Sequence, residues 1–271
     1  MSQTTTQTTM PTLFVGHGSP MNAIQDTPYS RAWSALAARF PRPRAILAVS
    51  AHWYTQGTAV TVDPLPRTIH DFGGFPPQLY AVEYPAPGDP ALAASLCARL
   101  APTPVEKSTA WGLDHGTWSV LVHMYPNADV PVVQLSIDAT QPGSAHYALG
   151  QRLSALRDEG ILIVGSGNIV HNLRQADWRP GAPAKPWATA FEGVVGHALA
   201  QGDHQSLMDP ELHGDAGRLS VPTAEHYLPL LYTLGSSRAG EQPELLSRDI
   251  ALGTISMTCV AFGLPPLAQP A

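Results

Sequence analysis

The chain has 271 residues, 11 of which are histidine, and its formal net charge at pH 7 is −6. This acidic balance argues against sequence-independent binding of nucleic acid, which needs a basic surface. The two cysteines are too few for a disulfide framework or a thiolate zinc site, so histidine and carboxylate side chains must supply the ligands of any bound metal.

Short aliphatic or β-branched runs alternate along the chain with segments that carry an apolar stripe at helical spacing. Strands are predicted at 13–15, 45–49, 59–62, 130–137, 161–164 and 254–261. Helices are predicted at 30–40, 90–100, 146–157, 187–200 and 225–234. This alternation predicts an α/β fold, with a mostly parallel central sheet and helices on both faces. The segment 64–90, rich in proline and glycine, is predicted to be a long loop, and such loops are usually functional.

The organisation of the chain is predicted to be simple. No repeat or linker divides it, which indicates a single domain over residues 11–264, with a flexible leader at 1–10 and a flexible tail at 265–271. No run approaches the roughly 18 apolar residues of a transmembrane helix, and the N-terminal segment lacks the features of a signal peptide. We therefore expect a cytoplasmic protein without a membrane or nucleic-acid partner.

Three histidines follow predicted strands. His17 comes after strand 13–15, His52 after 45–49, and His171 after 161–164 through a glycine-rich turn. Ligands of open α/β sheets bind beyond the carboxyl ends of the strands, so these side chains are expected to meet. A single histidine after a strand is more often structural, but three at equivalent positions favour a metal site, because imidazole is a common ligand of zinc and iron.

The other histidines are weaker candidates. His226 lies at a predicted helix start, and His115 lies in a glycine-flanked loop. His70, in the long loop, either borders a substrate or makes a turn-stabilising contact with Asp71. Five histidines in helical or polar contexts are assigned no role: His123, His146, His197, His204 and His213.

The sequence has no nucleophile elbow, Walker loop or His-Glu-x-x-His helix. A zinc-dependent hydrolase or lyase, or a metal-binding module without turnover, stays open as an alternative.

Six motifs in chain order resemble those of the DOPA-type extradiol ring-cleavage dioxygenases, which belong to the class III extradiol superfamily with the catalytic subunit of protocatechuate 4,5-dioxygenase. The motifs are Gly-His-Gly-Ser-Pro at 16–20, Ser-Ala-His-Trp at 50–53, His-Asp-Phe-Gly-Gly-Phe-Pro at 70–76, Leu-Asp-His-Gly-Thr-Trp at 113–118, Gly-Ser-Gly-Asn-Ile-Val-His-Asn-Leu at 165–173 and Glu-His-Tyr-Leu-Pro-Leu at 225–230. The resemblance spans nearly the whole chain, from residue 11 to residue 262.

This resemblance implies an extradiol dioxygenase that opens a catechol ring with O2, on a DOPA-like substrate, at a mononuclear non-haem metal site. It implies one divalent metal ion, Fe(II) for activity, although zinc can also be bound. The partners expected are therefore a small aromatic substrate and O2, in a monomer or small homo-oligomer. The particular catechol and the ring bond that is cut stay open.

The resemblance also implies roles for individual side chains. Four histidines match positions at or beside the metal: His17, His52, His171 and His226. His171 matches a catalytic base that can itself coordinate the metal, and His115 matches a second acid/base residue. Wider class III enzymes complete the site with glutamate, so Glu225 is the alternative to His226. Three basic residues are considered as partners of a substrate carboxylate, although a surface role is favoured for each: Arg67, Arg174 and Lys185.

Overall fold

The computed structural model describes residues 9–179 and 181–266, and an eight-stranded sheet forms its centre. The strands of this sheet are β1 (Thr12–Gly16), β2 (Ala45–Thr55), β3 (Thr58–Thr61), β4 (Val105–Ser108), β5 (Val132–Asp138), β6 (Ile161–Gly167), β7 (Glu244–Leu246) and β10 (Cys259–Phe262). Two further short strands, β8 (Ile250–Ala251) and β9 (Ile255–Ser256), pair separately. The order across the sheet is β4-β3-β5-β2-β6-β1-β10-β7.

The four inner strands β5, β2, β6 and β1 are parallel to one another. The outer strands are mixed, because β10 runs antiparallel to β1 and β3 runs antiparallel to β5. Successive side chains of a strand point to opposite faces, and here both faces are apolar. On β2, Ile46 and Ala48 belong to one buried cluster and Leu47 and Val49 to the other.

Eight α-helices lie in the described part of the chain, and they cover both faces of the sheet. They are α1 (Pro28–Ala37), α2 (Pro77–Tyr80), α3 (Pro90–Arg99), α4 (His115–Met124), α5 (Gly143–Leu153), α6 (Pro186–Gln201), α7 (Gly214–Ser220) and α8 (Leu228–Ser236). Residues of α3, α5, α6 and α8 join one apolar cluster, and residues of α1 and α4 join the other. The predicted α/β sandwich with a mostly parallel sheet is thus confirmed.

Several predicted elements differ from the observed ones. Helix α4 falls where a glycine-flanked loop was predicted, because it is buried on nearly every side and so lacks an amphipathic stripe. The predicted strand 254–261 is broken into β9 and β10. The predicted helix 225–234 begins later, at Leu228, so that His226 precedes it. Strand β2 continues beyond its predicted end to Thr55, which places His52 inside the strand.

None of the helices in residues 9–179 and 181–266 has the length and apolar character needed to cross a membrane. Residues 1–8 of the predicted leader and 267–271 of the predicted tail lie outside the described residues.

Candidate metal centre

Three of the predicted site histidines lie near the carboxyl ends of the neighbouring inner strands β1, β2 and β6. His17 directly follows β1, and its backbone N–H donates to Gly167 O at 3.1 Å, level with the end of β6. His52 lies where the register of β2 against β5 shifts, an irregularity of the kind that re-aims side chains. His171 lies four residues beyond β6 and forms an isolated bridge with Ile255.

The polar contacts of the Nδ1 atoms of His17 and His52 indicate which ring nitrogen of each carries the proton. The Ser166 hydroxyl donates its proton to Gly116 O, so it accepts from Nδ1–H of His17 at 3.0 Å. Nδ1 of His52 lies 3.3 Å from Asp71 Oδ2, and an ionised carboxylate can only accept. Both imidazoles therefore carry the proton on Nδ1 and present the lone pair of Nε2.

The two Nε2 atoms of His17 and His52 lie 3.2 Å apart. Two acceptor nitrogens at this distance repel each other unless a cation or a proton lies between them. Nitrogens that share one metal at about 2.1 Å each are at most about 4.2 Å apart, so the observed distance fits a shared ion. A divalent metal of the kind that imidazole binds therefore suits this pair.

His226 and His171 form the other side of the same cluster. Nδ1 of His226 lies 3.1 Å from Glu225 Oε1, so its Nε2 is again the free nitrogen. The rings of His171 and His226 are stacked, with centroids 3.5 Å apart. The His226 ring lies 5.4 Å from that of His17 and 5.1 Å from that of His52.

His115 is the first residue of α4, and its ring centroid lies 3.8 Å from that of His52 and 5.7 Å from that of His17. Its Nδ1 lies 2.9 Å from Asp71 Oδ2, and its backbone N–H donates to Asp71 Oδ1 at 2.9 Å. One potential ligand atom from each of His17, His52 and His115 lies within 4.8 Å of the others, and the same holds for His171, Glu225 and His226. The structure thus presents two adjoining groups of metal-ligating side chains.

Burial and crowding lower the pKa of four of these imidazoles, His17, His52, His171 and His226, and so favour their neutral forms. Burial is the main cause that lowers the pKa of His17 and of His226, and repulsion from the neighbouring histidines adds to it. Burial likewise lowers the pKa of His171 to about 4. Burial would raise the pKa of Asp71, but its hydrogen bond and charge interaction with His115 outweigh this and lower it. Neutral imidazoles beside one carboxylate are the protonation states in which a cation is bound.

Gly116 has a steric role at this site. A Cβ atom added there would lie 2.5 Å from Ser50 Oγ and 2.8 Å from His52 Cδ2. The absence of a side chain at Gly116 therefore lets the start of α4 pack against His52. This contact explains why glycine follows His115 in the motif.

All five histidines line one cavity of about 540 Å³. Apolar residues form most of the remaining wall, among them Phe72, Phe75 and Met257. His70 does not line it: its Nε2 lies 3.0 Å from Val82 O, so the contact with Asp71 proposed for it is replaced by a loop contact. The three basic residues considered for a substrate carboxylate do not line it either: Arg67, Arg174 and Lys185.

Two side chains at the site were not identified from the sequence. Asp71, considered only as a turn partner of His70, instead bridges His52 and His115. Ser166, in the motif at 165–173, orients His17. The sequence signal for Asp71 was its place in the motif at 70–76, within the long loop. The rule that ligands bind beyond the ends of strands does not apply to a residue in a loop.

Known proteins resemble this chain over nearly its whole length. A 4,5-DOPA dioxygenase extradiol of Escherichia coli (strain K12) is 52% identical, covering 94% of this chain and 96% of that protein. A protein of the same name from Beta vulgaris is 38% identical, covering 93% and 96% respectively. The crystal structure of an uncharacterized Escherichia coli K12 protein matches with a TM-score of 0.81 and 47% identity, over 93% of this chain and 99% of that chain.

The family described as the catalytic LigB subunit of aromatic ring-opening dioxygenase matches residues 10–262. This match and the named relatives confirm the resemblance predicted from the six motifs, and with it the prediction of an oxygen-using, ring-opening enzyme with a small aromatic substrate. The chain belongs to the LigB family of aromatic ring-opening dioxygenases.

Proposed function

We propose that this protein opens the ring of a DOPA-like catechol in the extradiol manner, with Fe(II) as its working metal and zinc as an ion it can also bind. The observation that carries the proposal is the 3.2 Å approach of the Nε2 atoms of His17 and His52. They face a cavity lined by three further histidines. The names of the relatives support the choice of a DOPA-like substrate.

We further propose that His17, His52 and His226 hold the metal, with His171 beside it. His226 is favoured over Glu225 because its ring lines the cavity, whereas Glu225 contacts the far nitrogen of that ring. Glu225 then orients His226 in the way that outer carboxylates orient metal-bound histidines. When bound, the metal would act as a Lewis acid for the catechol oxygens and bring O2 to the substrate.

The chain's own residues would bind the ring and move protons. His171 is neutral, so it can accept a proton from a catechol hydroxyl. His115 holds its Nδ1 proton against Asp71, which leaves Nε2 to exchange a proton with the substrate. General acid–base help of this kind is worth about 10²–10⁴-fold in rate. Phe72 and Phe75 supply apolar surface for the aromatic ring.

We propose in addition that residues 11–264 form the catalytic domain. We expect the protein to be a monomer or small homo-oligomer in the cytoplasm, without a membrane or nucleic-acid partner.

Anaerobic reconstitution tests the proposal. The metal-free protein is loaded with Fe(II) or, in parallel, with Zn(II), and is then given a panel of catechols and air. We expect O2 uptake and a coloured ring-opened product with Fe(II). Absence of O2 uptake across the panel would remove the dioxygenase assignment. Oxygen-independent turnover with zinc would support a hydrolase or lyase instead.

Metal analysis tests the site. His17→Ala is expected to lose the bound metal, whereas His197→Ala, on the exposed side of α6, serves as the control and keeps it. A His17→Ala protein with full metal content would remove the proposed ligand set.

A further inference from the structure

The cavity that holds the five histidines has a polar part in its wall. Ser19, Asn22, Gln25 and Tyr29 line it, and all four belong to the segment that runs from the end of β1 into α1. No lysine or arginine is present among the described residues of this lining. Beyond its histidines, the lining therefore offers a charged substrate hydroxyl and amide groups, but no cationic partner.

Tyr29 connects this lining to a carboxylate at the rim of the cavity. Its hydroxyl donates to Asp249 Oδ2, and Asp249 Oδ1 accepts from the backbone N–H of Ile250 at 2.9 Å. Burial, together with the hydrogen bond and the charge of Asp249, raises the pKa of the Tyr29 hydroxyl, so it stays protonated and keeps donating. The lone pairs of its oxygen are left to accept a hydrogen bond from a ligand.

The backbone fixes Asp249 next to the cavity. The Asp249 carbonyl accepts from the backbone N–H of Met257 at 2.8 Å, and Met257 is itself part of the lining. The backbone N–H of Asp249 donates to Ser247 O at 2.7 Å. Ser247 has a φ of 50°, a left-handed conformation that persists where the surrounding structure holds it. The carboxylate is therefore in place before a ligand arrives.

The charge of Asp249 is not neutralised by a basic side chain. No lysine or arginine in residues 9–179 and 181–266 forms an ion pair with it. The guanidinium of the adjacent Arg248 lies instead at α6, where one of its nitrogens is 3.6 Å from a Cβ atom added at Gly196. Hydrogen bonds from a phenol and a backbone N–H stabilise a carboxylate without cancelling its charge. The negative charge is thus available to a cationic group of a ligand.

We propose that Tyr29 and Asp249 form a subsite for an ammonium group on the side chain of the catechol substrate. DOPA carries an ammonium and a carboxylate on the same carbon atom, and the subsite distinguishes the two. The ammonium pairs with Asp249 and donates to the Tyr29 oxygen, while the carboxylate stays in the water at the open mouth. This inference deepens the proposed function and rests on it, because the bound ring brings the substituent to the rim.

The expected preference is modest, because Asp249 is exposed. An ion pair in water is weakened by solvent and by salt, and measured contributions of exposed pairs correspond to at most about a fivefold change in affinity. The subsite therefore selects among catechols, whereas the histidines and the metal supply most of the binding.

A matched pair of catechols tests the subsite. The probes are DOPA and 3-(3,4-dihydroxyphenyl)propanoate, which lacks only the ammonium group of DOPA. For the iron-loaded protein we expect kcat/KM to favour DOPA by about two- to fivefold. Titration calorimetry on the zinc-loaded protein gives the ratio of the dissociation constants without turnover. Both ratios are expected to fall towards one as the ionic strength rises.

Substitutions identify the residues responsible. Asp249→Asn keeps an acceptor for the Tyr29 hydroxyl but removes the charge, and it is expected to abolish the preference by weakening DOPA alone. Tyr29→Phe is expected to reduce the preference, because it removes the group that holds the carboxylate. The control is Asp129→Asn, which changes the net charge equally. Asp129 is exposed, is paired with Arg42, and precedes β5, at the edge of the sheet opposite the histidines.

Two results would overturn the subsite. One is a wild-type protein that binds DOPA and the propanoate equally tightly, and the other is an Asp249→Asn protein that keeps the preference shown by Asp129→Asn. Failure of the proposed function has a different signature, because neither catechol is then consumed with O2. The subsite is in that case judged by the calorimetric ratio alone, and a ratio of one overturns it as well.

Discussion

Replacing Asp71 by asparagine should weaken metal binding although Asp71 is not a proposed ligand. One carboxylate oxygen, Oδ2, lies 3.3 Å from Nδ1 of His52 and 2.9 Å from Nδ1 of His115. The carboxylate therefore holds both rings with the proton on Nδ1. The other oxygen, Oδ1, accepts from the backbone N–H of His115, whereas an amide has one acceptor oxygen and one NH2 donor group. In either orientation the NH2 group opposes an N–H, either those of the two rings or that of the helix start, so we expect the rings of His52 and His115 to lose their alignment on the cavity.

The magnitude follows from the behaviour of outer residues at metal sites. Loss of such a partner typically costs 10–100-fold in metal affinity, which corresponds to about 1.4–2.7 kcal/mol of binding free energy. The assay is competition with a chelating indicator for Zn(II) or Fe(II), carried out on wild type and Asp71→Asn. The thermal midpoint of the metal-free proteins shows whether the fold is kept.

A second aspartate provides the control for this substitution. Asp63 precedes the same long loop, and its Oδ1 accepts from the backbone N–H of Leu65 at 2.9 Å, away from the histidines. Asp63→Asn is expected to bind metal as wild type does. If Asp71→Asn also binds within twofold of wild type while both variants stay folded, the assignment of Asp71 as the residue that positions His52 is wrong.

Three further outcomes are expected. Glu225→Gln should lower metal affinity about 10–100-fold, because Glu225 orients His226. His226→Ala should lower it more. If the same competition assay gives the two variants equal affinities, Glu225 rather than His226 is the ligand. Gly116→Ala should displace His52 and lower metal affinity by at least about tenfold, and a crystal structure with an unmoved His52 ring would contradict this. Because the pKa of His171 is about 4 when folded and about 6.5 when unfolded, the unfolded chain binds more protons at this residue between these values, so His171 alone should account for a loss of up to about 3 kcal/mol in the stability of the metal-free protein as the pH falls through this window. Urea unfolding of His171→Asn beside wild type checks this, since a variant with the same pH dependence would exclude His171 as its source.

The fold was accessible from sequence because its inner strands are buried on both faces. Such strands are continuous apolar runs, and each run at 13–15, 45–49 and 161–164 falls within an observed strand. The order of the strands was not accessible, because lateral pairing depends on contacts between distant segments. The position of His17 beside His52 in space depends on that order, with β6 lying between β1 and β2.

The rule that ligands bind at strand ends brought His17, His52 and His171 together, but it did not cover His115 or Asp71. Helix α4 gave no periodic signal because eight of its ten residues are buried, and this burial brings His115 to the other histidines of the cavity. Asp71 lies in the loop 64–90, whose conformation is set by pairing with distant backbone, for example Ile69 N–H to Leu113 O at 2.7 Å. Local sequence does not encode such long-range contacts.

This pairing explains why one loop carboxylate can serve two histidines. The loop is fastened to the residues just before α4, so Asp71 stays in contact with the first backbone N–H of that helix, that of His115. His52 approaches the same carboxylate from the sheet. Asp71 thus links the proposed metal ligand His52 to the proposed proton donor His115. A substitution at any of these three residues is expected to alter metal binding and proton transfer together. A substitution at Asp71 that impaired turnover without changing metal affinity would separate them, and it would show that Asp71 acts through His115 alone.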